Sequence, residues 1–566
     1  MDREKHRGGW WMVALLSMAS LGAAGRDGRL AEAVKNGDRV AVRALVQQRV
    51  DVNTSQADGM TPLHWAAQRN DVETADLLIR AGATATIATR HGVTPLALAC
   101  ANGSAGMIER LLKAGADPNS ASAEGETALM TAARTGEVDA LKVLVAHGAD
   151  VNAVEGWKKQ TALMWAAGEG HAAAIQMLVE AGANIHARSK GGLTPLQFAV
   201  REGRVEAVRA LLAAGASANE SAPMGASVAY RSATLLPGEQ FETSALIRAI
   251  INAHYELAAV LLEHGADPNV VDGARGSALH ALAWMRRPGR VGNNVITAIA
   301  VREPTGNLDS LELAKILLER GANPNARIAW KEFKFAGEGG ASVQRAKGPA
   351  NMVVGGNYLT HVGATPFYLA ARHGDVALMR LLVAHGADPL LPTVQNVTPL
   401  MAAAGIGFWD GETPGPLSGT PESERLEAVK LALDLGGDVN AVADFGDVPV
   451  VEGDPVTLLH GYPDHLETWQ GDMRWNGSQA IHGAVLLEQP SIIKFLVEKG
   501  AKLDARNRVG WTPLMIAEQL FFGGMTQKQY PISEAVVRQM MRERNLDPDL
   551  YSQLRGTSPT AARRPQ

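Results

Sequence analysis

The sequence contains one cysteine, Cys100, among its 566 residues. A single thiol excludes an intramolecular disulfide framework, a Cys-x-x-Cys zinc ribbon, c-type haem attachment and a Cys-ligated iron–sulfur cluster. Free cysteine packs well in protein cores. We therefore expect Cys100 to be a small buried hydrophobic residue.

The sequence also lacks an excess of one charge and is poor in aromatic residues. Lysine and arginine total 54 against 59 for aspartate and glutamate, which gives a formal net charge of −5. A balance so close to neutral argues against a surface that coats nucleic acid, because such a surface needs a strong basic excess. Aromatic residues make up 5% of the chain, whereas glycine occurs 59 times. This composition indicates many short elements separated by tight turns.

No segment is long and apolar enough to span a membrane. The longest candidate, residues 10–24, follows Arg3, Lys5 and Arg7, but it falls short of the roughly 20 residues that a bilayer requires. A basic start, a short apolar segment and small residues up to Ala24 are typical of a secretory signal peptide. We predict a signal peptide over 1–24 and a bacterial protein that is periplasmic or secreted. The alternative is an uncleaved N-terminal membrane anchor.

One seven-residue pattern recurs through the rest of the chain. It begins at Thr61, Thr94, Thr127, Thr161, Thr194, Ser244, Ser277, Thr365, Thr398, Gln479 and Thr512. The steps between these starts are 33, 33, 34, 33, 50, 33, 88, 33, 81 and 33 residues. A second signature, Gly-Ala-Asp-x-Asn or a near variant, ends at Asn119, Asn152, Asn269 and Asn325, among others. The chain is therefore a repeat array with discrete insertions.

Each repeat predicts two short helices. Threonine or serine caps the first helix by accepting hydrogen bonds from its unpaired N–H groups, and proline fits the first helical position. The second helix of the repeat at Thr61 has an apolar stripe that includes Val72, Ala75 and Leu78, and it should end at Gly82, where positive φ is allowed. One repeat cannot bury its own apolar faces, so neighbouring repeats must stack.

These residues resemble the ankyrin-repeat family, whose Thr-Pro-Leu-His-x-Ala and Gly-Ala-Asp-x-Asn signatures they match over nearly all of residues 28–545. The resemblance implies a mainly α-helical solenoid of about twelve stacked helix–turn–helix units with loop insertions. The predicted boundaries are an N-terminal capping repeat at 25–57, an uninterrupted block at 58–219, an insertion at 220–243, repeats at 244–327 with an internal insertion at 286–309, an insertion at 328–362, repeats at 363–442 with an internal insertion at 408–423, an insertion at 443–477, C-terminal repeats and cap at 478–548, and a disordered tail at 549–566.

The last insertion contains the one motif that suggests an enzyme. His460-Gly461-Tyr462-Pro463 is similar to the oxyanion turn of epoxide-hydrolase-like α/β-hydrolases, which presents backbone N–H groups to a developing oxyanion. The nucleophile elbow that such a fold needs does not follow it, so we interpret the match as chance similarity.

Histidine is a common metal ligand, and three histidines of this region could suggest a metal site. His460 and His465 lie in the insertion, but His482 occupies the histidine position of the repeat motif, as do His64 and His280. In that position we expect the imidazole to tie neighbouring repeats by hydrogen bonds. We predict no metal site, no cofactor and no catalytic residues. Trp330, Trp409, Trp469 and Trp475 also lie in insertions, where each ring needs a pocket or a partner.

The ankyrin resemblance implies that a partner protein meets the hairpin tips and the exposed face of the first helices. The corresponding positions are Met60, Gln68, Arg69, Val93, Asn102, Glu126, Arg134, Gln160, Glu169, Leu193, Arg201 and Glu202. Our hypothesis is a monomeric, non-enzymatic scaffold or adaptor that binds another protein and not nucleic acid. The alternatives are an enzyme or ligand-binding protein with a site in the insertions, and a structural spacer of the cell envelope.

Overall fold

The computed structural model describes residues 28–223, 242–271, 276–287, 304–328, 334–336, 343–345, 363–393, 395–407, 420–444, 476–508, 510–520, 522–523, 526–527 and 530–553. The predicted signal peptide, the four insertion tryptophans and the motif at 460–463 lie outside these residues. The chain divides into two compact units, Met1–Trp157 and Lys158–Gln566. This boundary falls inside the block at 58–219 that the sequence predicts to be uninterrupted.

The first unit contains four helix pairs in its described part. Its first helices are α1 (Arg29–Asn36), α3 (Pro62–Gln68), α5 (Pro95–Ala101) and α7 (Ala128–Thr135). Its second helices are α2 (Arg39–Gln47), α4 (Val72–Arg80), α6 (Ala105–Lys113) and α8 (Val138–Ala146). Successive first helices pack against each other and against their own second helices, so the unit has two helical layers.

The second unit repeats this arrangement over its described residues. Its first helices are α9 (Ala162–Glu169), α11 (Pro195–Arg201), α13 (Ala245–Ile251), α15 (Ala278–Arg286), α17 (Pro366–Arg372), α19 (Pro399–Ala404) and α21 (Ala480–Leu486). Its second helices are α10 (Ala172–Glu180), α12 (Val205–Ala213), α14 (Tyr255–Glu263), α16 (Ser310–Glu319), α18 (Val376–Ala384), α20 (Glu422–Asp434) and α22 (Pro490–Glu498). The unit ends with α23 (Pro513–Met515), a π-helix (Ile516–Leu520), α24 (Pro531–Glu543) and α25 (Pro548–Gln553). The predicted solenoid of stacked helix pairs is confirmed.

The helix ends follow the predicted capping chemistry. The Thr94 hydroxyl accepts a hydrogen bond from the backbone N–H of Ala97 at 3.2 Å, and Pro95 occupies the first position of α5. The second helix α4 ends before Gly82, whose φ of +94° lies in the left-handed region. Cys100 is fully buried, as predicted, and burial raises the pKa of its thiol.

The histidine of the repeat motif joins neighbouring repeats, as expected. Nδ1 of His64 accepts a hydrogen bond from the backbone N–H of Thr61 at 3.1 Å. Nε2 lies 3.1 Å from the carbonyl oxygen of Val93 in the next repeat. Because Nδ1 accepts, the proton lies on Nε2 and is donated to that carbonyl. His280 makes the same pair of contacts with Ser277 and Ala364.

A second link between repeats is made by the asparagine that closes the Gly-Ala-Asp-x-Asn signature. Nδ2 of Asn119 donates to the carbonyl oxygen of Gly148 at 3.0 Å, and Oδ1 accepts from the N–H of Asp150 at 2.7 Å. The Asn269 amide makes the corresponding bonds to Gly321 and Asn323. One amide therefore satisfies a donor and an acceptor on the turn of the following repeat.

We expect Asn119→Ala to lower the free energy of unfolding by about 1–2 kcal/mol, because two hydrogen bonds between repeats are lost. Asn119→Asp keeps the acceptor but not the donor. Its free energy of unfolding should lie between those of the wild type and Asn119→Ala. Urea denaturation followed by circular dichroism measures both variants. Equal stability of the wild type and the alanine variant would show that water replaces these bonds without cost.

The insertions between repeats start from antiparallel backbone pairs. Strand β1 (Ser221–Pro223) pairs with β2 (Glu242–Ser244) at the ends of the first such insertion. Ile328 pairs with Ala364 at the ends of the second, and Ala443 with Ser478 at the ends of the third. Each of these three insertions therefore begins and ends in a pair of hydrogen-bonded backbone segments. Two further short hairpins are β3 (Lys334–Ala336) with β4 (Val343–Arg345), and β5 (Phe522–Gly523) with β6 (Thr526–Gln527).

The start of the predicted tail requires a correction. The sequence places a disordered tail at 549–566, because residues 556–566 are rich in proline, threonine and arginine. The structure has a helix, α25, over Pro548–Gln553. The Arg538 guanidinium donates to the Asp549 carboxylate at 3.1 Å and so links α24 to α25. Such a contact between two helices has no signature in the composition of the tail.

Candidate protein-binding surface

Three first helices of the first unit, α3, α5 and α7, expose a small set of side chains. In α3, α5 and α7 every residue is buried except Trp65, Gln68, Ala97, Leu98, Ala101, Arg134 and Thr135. These seven residues are named the first-helix face of the first unit. They recur near the same positions of successive repeats, because the other sides of each first helix pack against its neighbours and its second helix.

Trp65 and Arg69 mark one end of this face. The Trp65 indole N–H donates to Oε1 of Gln56 at 2.9 Å, and Nζ of Lys35 lies 5.1 Å from the ring centroid. Nη1 of Arg69 donates to the carbonyl oxygen of Lys35 at 3.0 Å. The carbonyls at a helix C-terminus lack partners within the helix, so Arg69 caps the last turn of α1.

Asn102 has the same role one repeat later. Its side-chain amide donates to the carbonyl oxygens of Ala67 and Gln68, at 3.0 and 2.9 Å. Arg69 and Asn102 occupy equivalent positions. Two residues predicted to contact a partner therefore also stabilise the end of the preceding first helix.

Glu126 and Arg134 lie together on the third repeat of this face. The Glu126 carboxylate is 3.5 Å from Nη1 of Arg134 and accepts a hydrogen bond from the Thr131 hydroxyl at 2.9 Å. The Arg134 side chain is only 18% exposed. The sequence predicted both residues as contacts for a partner, and the structure pairs their charges with each other.

In the second unit the accessible first-helix residues of the described part end at Arg201, apart from Arg286 at the end of α15. Helix α9 leaves Trp165, Gly168 and Glu169 accessible, and α11 leaves only Arg201. Every residue of α13, α17, α19 and α21 is buried. These four accessible residues form the first-helix face of the second unit. The buried helices offer no comparable surface to a partner.

Arg201 and Glu202 form an ion pair at the end of this face. Nε of Arg201 lies 2.7 Å from Oε1 of Glu202, and each side chain is 42% exposed. The Arg201 guanidinium also stacks 4.9 Å from the centroid of the Phe198 ring. A guanidinium over an aromatic ring is stabilised by the negative face of that ring.

The predicted positions at the hairpin tips are less accessible than the sequence suggested. Met60 and Val93 of the first unit and Gln160 and Leu193 of the second are half-buried. The Met60 and Val93 carbonyls accept hydrogen bonds within the chain, from Gln56 and His64 respectively. The backbone at these tips therefore stabilises the stack, and the side chains leave only part of their surface for a partner.

Sequence reasoning missed two notable residues. Trp157 lies in a turn of the first unit, and its side chain is 73% exposed. Arg248 occupies a first-helix position at which other repeats have Trp65, Trp165 or Phe198, yet it is only 6% exposed. An arginine in a position that is uncharged in the other repeats was a visible signal for the second residue.

The described residues contain no group of three or more His, Cys, Asp or Glu side chains that could hold a metal ion. Within the same residues, none of the helices combines the length and hydropathy needed to traverse a bilayer. His460, His465 and the 460–463 motif lie outside the described residues, so the enzyme alternative gains no geometric support.

Comparisons with known proteins agree with this architecture. The family model "Ankyrin repeats (3 copies)" matches five overlapping segments between residues 30 and 272, and the model "Ankyrin repeat" matches 362–394. Ankyrin repeat domain-containing protein 40 of Homo sapiens and that of Mus musculus are each 42% identical over 62 residues. That match covers 11% of this chain and 17% of either relative. Residues 30–272 and 362–394 of this chain are therefore ankyrin repeats.

Proposed function

We propose that this chain is a non-enzymatic scaffold that acts as a monomer and binds another protein through its first-helix faces. Ankyrin repeats generally mediate protein–protein interaction, which gives the class of function. One observation carries the choice of surface. Accessible first-helix residues are confined to α1–α11, apart from Arg286 at the end of α15, among the helix pairs that the structure describes.

The chemistry of these faces suits a protein partner. Trp65 and Trp165 are both half-buried, and tryptophan is enriched among the residues that contribute most of the binding energy of an interface. Leu98 and Ala101 add apolar surface to the first unit. Arg69, Asn102 and Arg134 already bond within the chain. They would border the contact area in fixed conformations, at little cost in side-chain entropy.

Export is part of the same proposal and is supported by the sequence alone. The basic residues Arg3, Lys5 and Arg7 precede an apolar segment that ends at Ala24, a pattern typical of a signal peptide. The partner is therefore to be sought in the cell envelope and the medium.

Steric blocks test the proposal without removing an internal contact. Ala101 is exposed at the end of α5, and an added Cβ at Gly168 in α9 would meet no atom within 4 Å. We expect Ala101→Arg or Gly168→Arg to lower crosslinking-based capture of the partner at least tenfold. The matched controls Ala81→Arg and Ala173→Arg place the same side chain at exposed positions, directly after α4 and within α10. They should capture the partner as the wild type does.

The comparison is made on folded protein with the envelope fraction as the source of partners. Circular dichroism must show the same helix content for all four variants. Capture of the same proteins by all variants would contradict binding at the first-helix faces. The absence of any captured protein would favour the envelope-spacer alternative.

A further inference from the structure

Arg248 is a buried cation on the first-helix side of the second unit. It lies in α13, where all seven residues are buried, and it is 6% exposed itself. Burying a guanidinium is costly unless its N–H groups are satisfied and its charge is compensated. The contacts of Arg248 show which of these two conditions the chain meets.

Neutral oxygens satisfy two of the three guanidinium nitrogens. Nε donates to Oε1 of Gln197 at 2.6 Å. Nη2 donates to the carbonyl oxygens of Ala222 and Pro223, at 3.1 and 3.0 Å. The Gln197 amide is itself oriented, because its Nε2 donates to the carbonyl oxygen of Glu220 at 2.9 Å. The guanidinium is therefore held in one orientation by α11 and β1.

The third nitrogen, Nη1, remains available. It makes no hydrogen bond to any residue that the structure describes, and it is not among the atoms that are both sealed from solvent and without a partner. Among the described residues, Arg248 therefore has two N–H groups without a hydrogen-bond partner on a side chain that Gln197, Ala222 and Pro223 hold in place. Such a donor pair loses little conformational entropy when an anion binds.

Among the described residues, the charges near this guanidinium do not compensate it. Burial, together with the positive charge of Arg201, lowers the pKa of Arg248 to about 10. Arg248 is therefore still cationic at neutral pH, next to a second cation. Arg201 is balanced by Glu202 at 2.7 Å, so the group of three has a surplus of one positive charge. A single monoanion would neutralise it.

We propose that Arg248 and Arg201 together bind one carboxylate side chain of the partner protein. This inference rests on the proposed function and names the chemistry of the contact. A guanidinium matches a carboxylate in geometry and in charge. The surplus of one charge favours a carboxylate over a phosphate dianion, which would leave negative charge against Glu202.

The test is selection from a displayed library of random dodecapeptides with equal numbers of acidic and basic residues. The full chain is the target, and the selection is repeated with Arg201→Gln, Arg248→Gln and the control Arg209→Gln. Arg209 is an exposed arginine of the second helix α12. We expect the wild type and the control to enrich aspartate or glutamate at one fixed position, and the other two variants to lose that preference.

Synthetic peptides make the result quantitative. For the best selected peptide, replacing the fixed glutamate with glutamine should raise the Kd at least tenfold for the wild type but less than twofold for Arg201→Gln and Arg248→Gln. Such a double-mutant cycle isolates the pairwise contact. Arg201 is exposed, so its variant should keep the fold even if Arg248→Gln loosens β1. Tighter binding of a phosphoserine peptide than of the glutamate peptide would overturn the assignment to a carboxylate.

The remaining outcomes separate this inference from the proposed function. Peptides that compete with the partner but show no acidic preference would overturn the carboxylate contact and leave first-helix binding intact. The same holds if Arg248→Gln selects the same sequences as the wild type. If Gly168→Arg weakens the binding of none of the selected peptides, the second-unit face is not a binding surface. Both proposals then fail for that face.

Discussion

Acidification from pH 7 to pH 4 is expected to destabilise this chain through its buried histidines. Burial lowers the pKa of His280 to about 4 and that of His482 to about 4. At pH values between about 4 and the ordinary histidine pKa of 6.5, the unfolded chain binds protons that the folded chain does not bind. The stability is present above pH 6.5 and is lost as the pH falls through this window, by roughly 1 kcal/mol per pH unit for each histidine.

The geometry gives the cause of this pH dependence. Nδ1 of His280 accepts from the Ser277 N–H at 3.1 Å, while Nε2 lies 3.1 Å from the Ala364 carbonyl. Only the neutral ring can accept at one nitrogen and donate at the other. A protonated ring would therefore lose the cap of its own helix.

Urea denaturation at half-unit pH steps from 4 to 8 measures the slope. His280→Gln should be less stable than the wild type at pH 7 but lose less stability on acidification. The control His91→Gln changes an exposed histidine and should follow the wild-type curve. A slope that is unchanged in His280→Gln would contradict the assignment of acid sensitivity to this ring.

Gly483→Ala should destabilise the second unit, although alanine is the better helix former. Gly483 lies inside α21, and an added Cβ would come within 2.4 Å of the backbone nitrogen of Ile406 and 2.6 Å of the carbonyl carbon of Gly405. Backbone atoms cannot move aside as a flexible side chain can. The gain in helix propensity is about 1 kcal/mol, whereas overpacking costs typically about 1–3 kcal/mol or more. We expect a net loss of about 2 kcal/mol.

The matched control, Gly168→Ala, should change the stability in the opposite direction. Gly168 is also helical, in α9, but an added Cβ would meet no atom within 4 Å. Gly168→Ala should therefore gain up to about 1 kcal/mol from helix propensity. Thermal and urea denaturation of both variants measure these changes in stability. A stabilised Gly483→Ala protein would mean that α19 and α21 do not approach each other as the structure shows.

Much of the fold was predictable, because each repeat encodes its own local structure. Thr94 and Pro95 specify a helix start whatever surrounds them, and Gly82 specifies a helix end. The histidine position was predictable for the same reason, since His64 and His280 follow the capping residue at a fixed distance. For the candidate binding residues, the sequence predicted the positions but not the contacts of their side chains. Their state of pairing, as in Glu126 with Arg134, depends on side chains that meet only after folding.

The sequence by itself determined that this protein is a stacked helical repeat, with its caps, its links between repeats and the places of its insertions. These features act over a few residues or over one repeat period, and the period of 33 fixes which residues meet. Only the tertiary structure decided which first helices stay accessible and where a charge is left over. In the described first helices accessibility ends at Arg201, apart from Arg286, and Arg248 is buried among neutral oxygens. Both depend on distant segments brought together by stacking, which no local pattern records.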